Sequence, residues 1–212
     1  MPEHVLSTQA ELRELYGGPN PQGFAIRCVL PALDAHHRSF IAASPFIVLG
    51  SSDAQGRAGV SPRGDLPGFV RVQDNTTLHI PDRSGNKKML TLSNLLENPA
   101  VSIIFFVPGR DDTLRVTGTA AISTDEKLLA PLAVGSNLPK SALVVHVEQA
   151  WLHCGKSIKR SRLWDQEAQR AADDLPTLGQ MLADQIEGVE AKAADEKMDA
   201  YYKTTLWSEP TG

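Results

Sequence analysis

Between residues 46 and 154 the chain alternates short apolar runs with polar turns, and this pattern constrains the fold more than any other feature. Runs such as FIVLGSS (46–52) and TLRVTGTAAIS (113–123) are rich in β-branched residues and are bounded by turn residues. Short strands joined by tight turns form antiparallel sheets, which remove their exposed edges by closing. The sequence therefore predicts a mainly β, α+β fold, with about six antiparallel strands in a closed or split barrel.

The first four predicted strands follow one another closely, at 46–52, 57–63, 69–73 and 76–80. The short turns between them predict a meander, in which each strand pairs with the next. Further strands are predicted at 100–108, 113–123 and 142–154.

Helical spacing precedes, interrupts and follows the strands. Helices are predicted from a Ser7 cap to the breaker at Gly17, at 32–43, 86–97 and 124–132, and throughout the charged segment after residue 155. We therefore expect three parts: an N-terminal helical arm (1–44), a barrel domain (45–165) and a C-terminal helical extension (166–212) packed on the barrel.

Composition excludes several classes of protein. The 212-residue chain has a formal net charge of −4 and no broad cationic face, which disfavours nucleic-acid binding. The most apolar run, 100–108, is too short to cross a membrane.

The amino end lacks the features of an export signal, and two cysteines cannot form a disulfide framework, so we expect a cytoplasmic protein. His153 and Cys154 are adjacent in a strand and point to opposite faces, so we expect no metal site.

The stretch IPDRSGNKK (80–88) concentrates Arg83, Lys87 and Lys88 in a turn between a predicted strand and the predicted helix 86–97. Unpaired backbone N–H groups and the positive end of the helix dipole attract anions at a helix start, and the two lysines add full charges. The turn is therefore a candidate site for a small anionic ligand. Solvated charges on a surface turn would give the same pattern.

A second cation, Arg63, lies in VSPRGDLPG (60–68), at the end of a predicted strand. If this strand lies beside the one that precedes the 83–88 turn, the Arg63 side chain reaches the region of that turn. Its guanidinium can then offer two parallel donors to a phosphate. A surface ion pair with Asp65 or Asp82 is the alternative.

These stretches, in this order, resemble the pyridoxamine 5′-phosphate oxidase-like superfamily of FMN-binding split barrels, over roughly residues 40–165. The resemblance rests on Ser61-Pro62-Arg63, Ile80-Pro81-Asp82-Arg83, Asn86-Lys87-Lys88, Glu97-Asn98-Pro99 and the strand Leu114-Arg115-Val116-Thr117-Gly118. It implies a six-stranded split barrel and a homodimer that holds FMN at the subunit interface.

The resemblance also implies roles for particular residues. Arg63, Lys87 and Lys88 would bind the FMN phosphate, while segments 61–65 and 80–83 would lie along the isoalloxazine ring and contact its polar edge through the backbone. Residues near the carboxyl end, including Trp151, would come from the partner chain. The implied cofactor-binding set is Ser61, Pro62, Arg63, Gly64, Asp65, Ile80, Pro81, Asp82, Arg83, Asn86, Lys87, Lys88, Lys156, Arg160 and Trp164.

The sequence departs from the oxidase proper at two places. Leu66-Pro67-Gly68 stands where the oxidase has a second phosphate-binding lysine, and nothing matches its substrate motif near the carboxyl end. The implied function is therefore an FMN-dependent oxidoreductase that acts on a small organic substrate with NAD(P)H or another reductant. The alternative is a non-catalytic protein that binds flavin, deazaflavin or haem. For haem, His79 or His146 would be the axial ligand.

Overall fold

The computed structural model describes residues 4–83, 85, 87–169 and 174–206. The strands are β1 (Phe46–Ser52), β2 (Ala58–Gly64), β3 (Arg71–Val72), β4 (Thr77–Pro81), β5 (Ala100–Phe106), β6 (Thr113–Ser123) and β7 (Ala142–His153). The helices are α1 (Gln9–Tyr16), α2 (Phe24–Arg27), α3 (Ala35–Ala43), α4 (Leu90–Glu97), α5 (Glu126–Leu129), α6 (Lys156–Ser161), α7 (Gln166–Gln169), α8 (Leu178–Gln185) and α9 (Ala191–Thr205), with a 3₁₀ turn (Ala130–Leu132) after α5.

The strands form one antiparallel sheet in the order β2-β1-β5-β6-β7-β4-β3. Alternate residues of each strand point to the same face, and the inward face is apolar. Phe105, Ile47, Leu49, Leu114 and Leu143 are among its fully buried side chains. Removal of these side chains from water is the main stabilising term of the fold.

The sheet curls until its two ends approach each other. β2 is the first strand in the hydrogen-bonded order and β4 is the sixth. Nevertheless, Arg63 near the end of β2 lies 2.7 Å from Asp82, which directly follows β4. A flat sheet would hold these strands roughly 24 Å apart, at about 4.8 Å per strand. The barrel is therefore closed at this point by side chains and not by a backbone ladder.

The predicted α+β fold with an antiparallel sheet is confirmed, and the strand bounds agree closely with the prediction. β1 and β6 have the predicted ends, while β2 and β4 lie one residue later than predicted. The sheet has seven strands, one for each predicted strand range, so the predicted barrel of about six strands is too low by one.

The predicted meander is wrong between β2 and β3. These strands lie at opposite edges of the sheet, since β4 pairs with β7 along Thr77–Pro81 and takes β3 with it. The connection between them is fixed to the C-terminal cap of α3, because the Gly68 N–H donates to the Ser44 carbonyl oxygen. The connection therefore carries the chain from one edge of the barrel to the other.

The predicted helices are present with shorter bounds. The cap of α1 is Thr8 and not Ser7, since the Thr8 hydroxyl accepts from the Glu11 N–H and the Glu11 carboxylate accepts from the Thr8 N–H. The helix predicted at 86–97 begins only at Leu90, and the helix predicted at 124–132 divides into α5 and the 3₁₀ turn. The sequence patterns missed the short α2.

After β7 the described chain is helical, as predicted. α8 and α9 pack on each other, and Asp195 of α9 accepts hydrogen bonds from Thr177 Oγ1 (2.6 Å) and the Gly179 N–H (2.7 Å) at the start of α8. The boundaries at residues 44 and 165, and the packing of the extension on the barrel, stay predictions. Within the described residues, the helices are too short or too polar to cross a membrane.

Candidate functional site

β2 places Arg63 with its side chain turned toward the inside of the curled sheet. Neighbouring Pro62 and Gly64 are exposed, whereas the Arg63 side chain is only 14% exposed. This alternation is the two-residue period of a strand. Pro62 is tolerated because β2 is an edge strand, in which one side of the backbone needs no ladder partner. The local sequence therefore buries a guanidinium at the edge of the sheet.

Two ion pairs join the end of β2 to the residues after β4. Arg63 Nη1 donates to Asp82 Oδ1 at 2.7 Å, and Arg83 Nε donates to Asp65 Oδ2 at 2.7 Å. The Asp65 side chain is only 4% exposed, so this carboxylate depends on Arg83 for its compensation. We call these four residues the charge cluster. Its formal charges cancel, and the ion-pair alternative for Arg63 is present in the structure with Asp82 as partner.

One donor of the charge cluster has no acceptor within the part of the chain that the structure describes. Arg63 Nε is buried, and it finds no hydrogen-bond partner among the described residues. Most buried polar atoms are paired, because an unpaired donor loses its hydration without compensation. A buried arginine that keeps one donor unused is therefore suited to an anionic group that is not part of the chain.

The turn before α4 has an unusual backbone. Lys87 and Met89 both have positive φ, 56° and 51°, in the left-handed region that non-glycine residues rarely adopt. Met89 precedes the first residue of α4 and provides no side-chain cap, so the first N–H groups of the helix lack that acceptor. Lys87 and Lys88 are exposed on this turn. Asn86, also predicted to bind the cofactor, lies outside the described residues, as does Ser84.

Lys87 lies close to the charge cluster along the chain. It follows Arg83 by four residues, which span at most roughly 14 Å when fully extended. Because Arg83 contacts Asp65, the turn that carries the lysines begins at the charge cluster. The structure thus brings the two predicted cationic stretches together, through side-chain pairs and not through adjacent strands as the sequence suggested.

The segment 80–83 offers few free backbone donors. Ile80 and Pro81 are buried in strand β4, and proline has no N–H. The Asp82 N–H donates to the Ser141 carbonyl oxygen at 2.9 Å. Pro81 and Asp82 therefore have no N–H left to donate, so backbone hydrogen bonds to the polar edge of a flavin ring would have to come from other residues.

The residues predicted to come from a partner chain lie near the turn after β5. Trp164 Nε1 donates to the Arg110 carbonyl oxygen at 2.8 Å, and the Arg115 guanidinium lies over the Trp151 ring. Lys156 and Arg160 of α6 are exposed. Among the described residues, no hydrogen bond or ion pair joins α6 or Trp164 to the charge cluster, so their role at a cofactor stays a prediction.

Two shallow cavities among the described residues lie away from Arg63. One, of about 480 Å³, has Thr77, Thr119, Val144 and His146 in its wall, on the outer face of the sheet. The other, of about 440 Å³, lies between α4 and the β1–β2 turn. Neither of these two cavities is lined by a residue of the charge cluster.

The histidines considered as haem ligands lie on that outer face. His146 is exposed, while burial and the nearby Arg71 charge lower the pKa of half-buried His79. Within the described residues, His, Cys, Asp and Glu side chains form no group of three or more that could hold a metal ion. Cys28 and Cys154 are exposed free thiols.

Comparison with known proteins agrees with this arrangement of motifs. The family model described as pyridoxamine 5′-phosphate oxidase matches residues 33–154, more than half of the 212-residue chain. The chain belongs to this family. The matched segment runs from just before α3 to the end of β7, so the family domain contains the charge cluster and leaves out α6 to α9. None of the curated proteins matches the chain.

Several solved structures are similar to parts of the chain. HupZ from Group A Streptococcus is 20% identical, with 57% of this chain and 93% of HupZ covered and a TM-score of 0.47. An FMN-binding protein from Syntrophomonas wolfei is 16% identical, with 54% and 82% covered and a TM-score of 0.43. A Clostridium acetobutylicum protein related to general stress protein 26 is 12% identical, with 56% and 86% covered and a TM-score of 0.44.

Sequence reasoning missed the second ion pair of the charge cluster. It considered Asp65 and Asp82 as alternative partners of Arg63, whereas Asp65 pairs with Arg83. A signal was present, because one stretch reads Arg-Gly-Asp and the other reads Asp-Arg, which allows two crossed pairs. The hydrogen bond from the Asp82 N–H to the Ser141 carbonyl oxygen could not be predicted from residue type, since any residue can supply a backbone carbonyl.

Proposed function

We propose that this chain binds FMN, with the phosphate held by Arg63 and by Lys87 and Lys88 of the turn before α4. The observation that carries the proposal is the buried Arg63 Nε, which has no acceptor among the described residues. A phosphate oxygen would satisfy it with a charge-assisted hydrogen bond. Membership of the pyridoxamine 5′-phosphate oxidase family supports the choice of a flavin over other phosphorylated ligands.

The charge balance of the cluster supports an additional anion. Arg63 and Arg83 are neutralised by Asp82 and Asp65, so the charge of Lys87 is additional to the balanced pairs of the cluster. The start of α4 adds its partial positive charge. A phosphate that carries about two negative charges at neutral pH would therefore be compensated there.

We also propose that the protein is an FMN-dependent oxidoreductase for a small organic substrate, with NAD(P)H or another reductant. Bound flavin would supply the electron transfer, and the chain would bind the cofactor and set the charge around the ring. Turnover with NADH or NADPH under aerobic conditions tests this part, and flavin binding without turnover would reduce the proposal to a carrier.

A homodimer with the flavin at its interface is part of the proposal. Arg63 lies near the end of edge strand β2, where a second subunit could complete the site. The exposed cations Lys156 and Arg160, and Trp164 near the turn after β5, are the residues that we expect to approach the partner's flavin.

Replacement of the phosphate-binding cations tests the assignment directly. We expect Arg63→Ala and Lys87→Ala each to weaken FMN binding by about 1.5–3 kcal/mol, the usual range for a hydrogen bond to a charged group. The dissociation constant would rise tenfold to about a hundredfold. Quenching of flavin fluorescence measures it, on full-length protein freed of flavin.

Two controls separate loss of the phosphate contact from general damage. Riboflavin lacks the phosphate, so its affinity should be the same in the variants and in the wild type. Lys192→Ala removes an 83%-exposed lysine of α9 and should leave FMN binding unchanged. Unchanged FMN affinity in both site variants would contradict the assignment, and the absorbance spectrum of the purified protein would distinguish flavin from deazaflavin or haem.

A further inference from the structure

We propose that Asp82 is the resident counter-anion of Arg63: it neutralises and orients the guanidinium in the empty protein and leaves the opposite edge free for the ligand phosphate. The inference rests on the proposed function and deepens it. It assigns to Asp82 a positioning role, and it explains why a buried arginine carries both an ion pair and an unused donor.

The guanidinium of Arg63 meets Asp82 at one of its edges only. A guanidinium is a planar group with five N–H donors, and its Nε–H and one Nη–H form a parallel pair that matches two oxygens of a phosphate. Asp82 accepts from Nη1, which lies away from that pair. Nε is the donor that is buried without a partner among the described residues. Asp82 therefore occupies one edge of Arg63, while Nε belongs to the opposite, two-donor edge.

Both charges of the Arg63–Asp82 pair are largely buried. The Arg63 side chain is 14% exposed and the Asp82 side chain is 25% exposed, so much of the hydration of both charges is lost. An unpaired charge in such a position is strongly destabilising, and a partner carboxylate removes most of that cost. Asp82 thus stabilises the ligand-free protein, because it compensates the charge of Arg63 when no phosphate is bound.

The same carboxylate opposes the ligand. A phosphate bound at the two-donor edge would lie on the other side of the same guanidinium from Asp82, so two anions would share one cation. Like charges at such short range repel, most strongly where water is partly excluded. Asp82 therefore stabilises the empty site and lowers the affinity of the filled one.

The Arg83–Asp65 pair has a different role. Its carboxylate is the more deeply buried, with a 4%-exposed side chain, and Arg83 uses its own Nε for that pair. The Nε donor that finds no partner among the described residues in Arg63 is therefore already used in Arg83. Of the two arginines, Arg63 is the one that can receive a two-oxygen anion without loss of its internal partner.

Asp82→Asn separates charge from position, because the amide keeps an acceptor oxygen for Nη1 and loses the negative charge. We expect the ligand-free variant to unfold at a lower temperature than the wild type. We expect it to bind FMN three- to tenfold more tightly, with riboflavin affinity within twofold of wild type, and to gain more thermal stability from saturating FMN than the wild type does. Fluorescence titration and thermal unfolding of the full-length protein measure these quantities.

Two further variants make the test specific. Asp53→Asn is the matched control, since Asp53 pairs with Arg57 (2.5 Å) at the other end of β2 and its side chain is 10% exposed. It should lower thermal stability and leave FMN affinity unchanged. Asp82→Ala removes the acceptor as well as the charge, so it should bind FMN at least threefold more weakly than Asp82→Asn, because Arg63 is no longer held in place.

The outcomes distinguish this inference from the proposed function. FMN affinity that is unchanged or weaker in Asp82→Asn overturns the inference, as does equal FMN affinity of Asp82→Asn and Asp82→Ala, even if the wild type binds FMN more tightly than riboflavin. A wild type that binds neither flavin overturns the proposed function, and the inference with it.

Discussion

His37 is the one buried residue among the six histidines, with 3% of its surface exposed. It belongs to the capping box of α3: its backbone N–H donates to Asp34 Oδ1 at 2.8 Å, and its Nδ1 accepts from the Asp34 N–H at 3.3 Å. Acceptance at Nδ1 requires that the imidazole carry its proton on Nε2. Burial lowers the pKa of His37, and the Asp34 charge opposes this only in part.

The pH dependence of stability follows from this shift. Because the folded-state pKa lies below the unfolded value of about 6.5, the unfolded chain binds the proton more readily. The contribution of neutral His37 is therefore complete above that pH and is lost as the pH falls below it. We expect the free energy of unfolding to fall between pH 7 and pH 5, in part through His37.

The His37→Gln variant isolates this contribution. It should be less stable than the wild type at pH 7.5 and should show a shallower loss on acidification, measured by urea unfolding across the range. Some loss should remain, since burial also lowers the pKa of His79. Equal slopes in the two proteins would show that His37 does not titrate as its environment suggests.

At the scale of elements, the β6–β7 pair depends on one bulge. The register shifts between Thr117 and Gly118, so that Gln149 and Val147 are the successive partners and Glu148 is extra. Glu148 and Gln149 are consecutive exposed residues, which breaks the alternation of the strand. Gly118 allows this close approach, since a Cβ atom there would lie 1.9 Å from the His146 carbonyl oxygen.

Gly118→Ala should therefore be strongly destabilising. The added methyl group meets backbone and not a flexible side chain, so we expect a loss of about 2–3 kcal/mol, at the upper end of the cost of overpacking. Gly50→Ala in β1 is the control, because its Cβ would meet the Ser102 carbonyl oxygen at an ordinary 3.5 Å. Denaturant unfolding of the two variants compares them, and equal stability would contradict the bulge argument.

At the scale of the whole molecule, β2 and β3 are the free edges of the sheet, and the charge cluster holds the two ends together. Exposed strand edges invite pairing with another chain. Large apolar side chains near β2 are also exposed: Val60 is 74% and Leu66 is 59% accessible. These features suit an assembly with a second copy of the chain.

We expect the FMN-loaded protein to be a dimer of two-fold symmetry, the commonest arrangement of soluble oligomers. Light scattering should give twice the chain mass of 22.9 kDa. The flavin-free protein provides the comparison, since a cofactor held by two chains should strengthen the dimer. A monomeric species that carries FMN would contradict the shared site.

Local patterns predicted most elements because their causes are local. β1 and β6 have their predicted ends, since alternation and turn residues define a strand within a few positions. The start of α4 was misplaced by four residues for the opposite reason. Asn86, Lys87 and Lys88 are compatible with a helix by residue type, but Lys87 and Met89 adopt left-handed backbone that only the folded context imposes.

The sequence by itself determined the strand segments and the two cationic stretches that resemble a flavin phosphate site. Only the tertiary structure decided that β2 and β4 are not neighbours in the sheet and that Arg63 still meets Asp82. Strand order depends on contacts between residues distant in sequence, which no local pattern encodes. The pairing of Arg63 with Asp82 follows from the curl of the whole sheet.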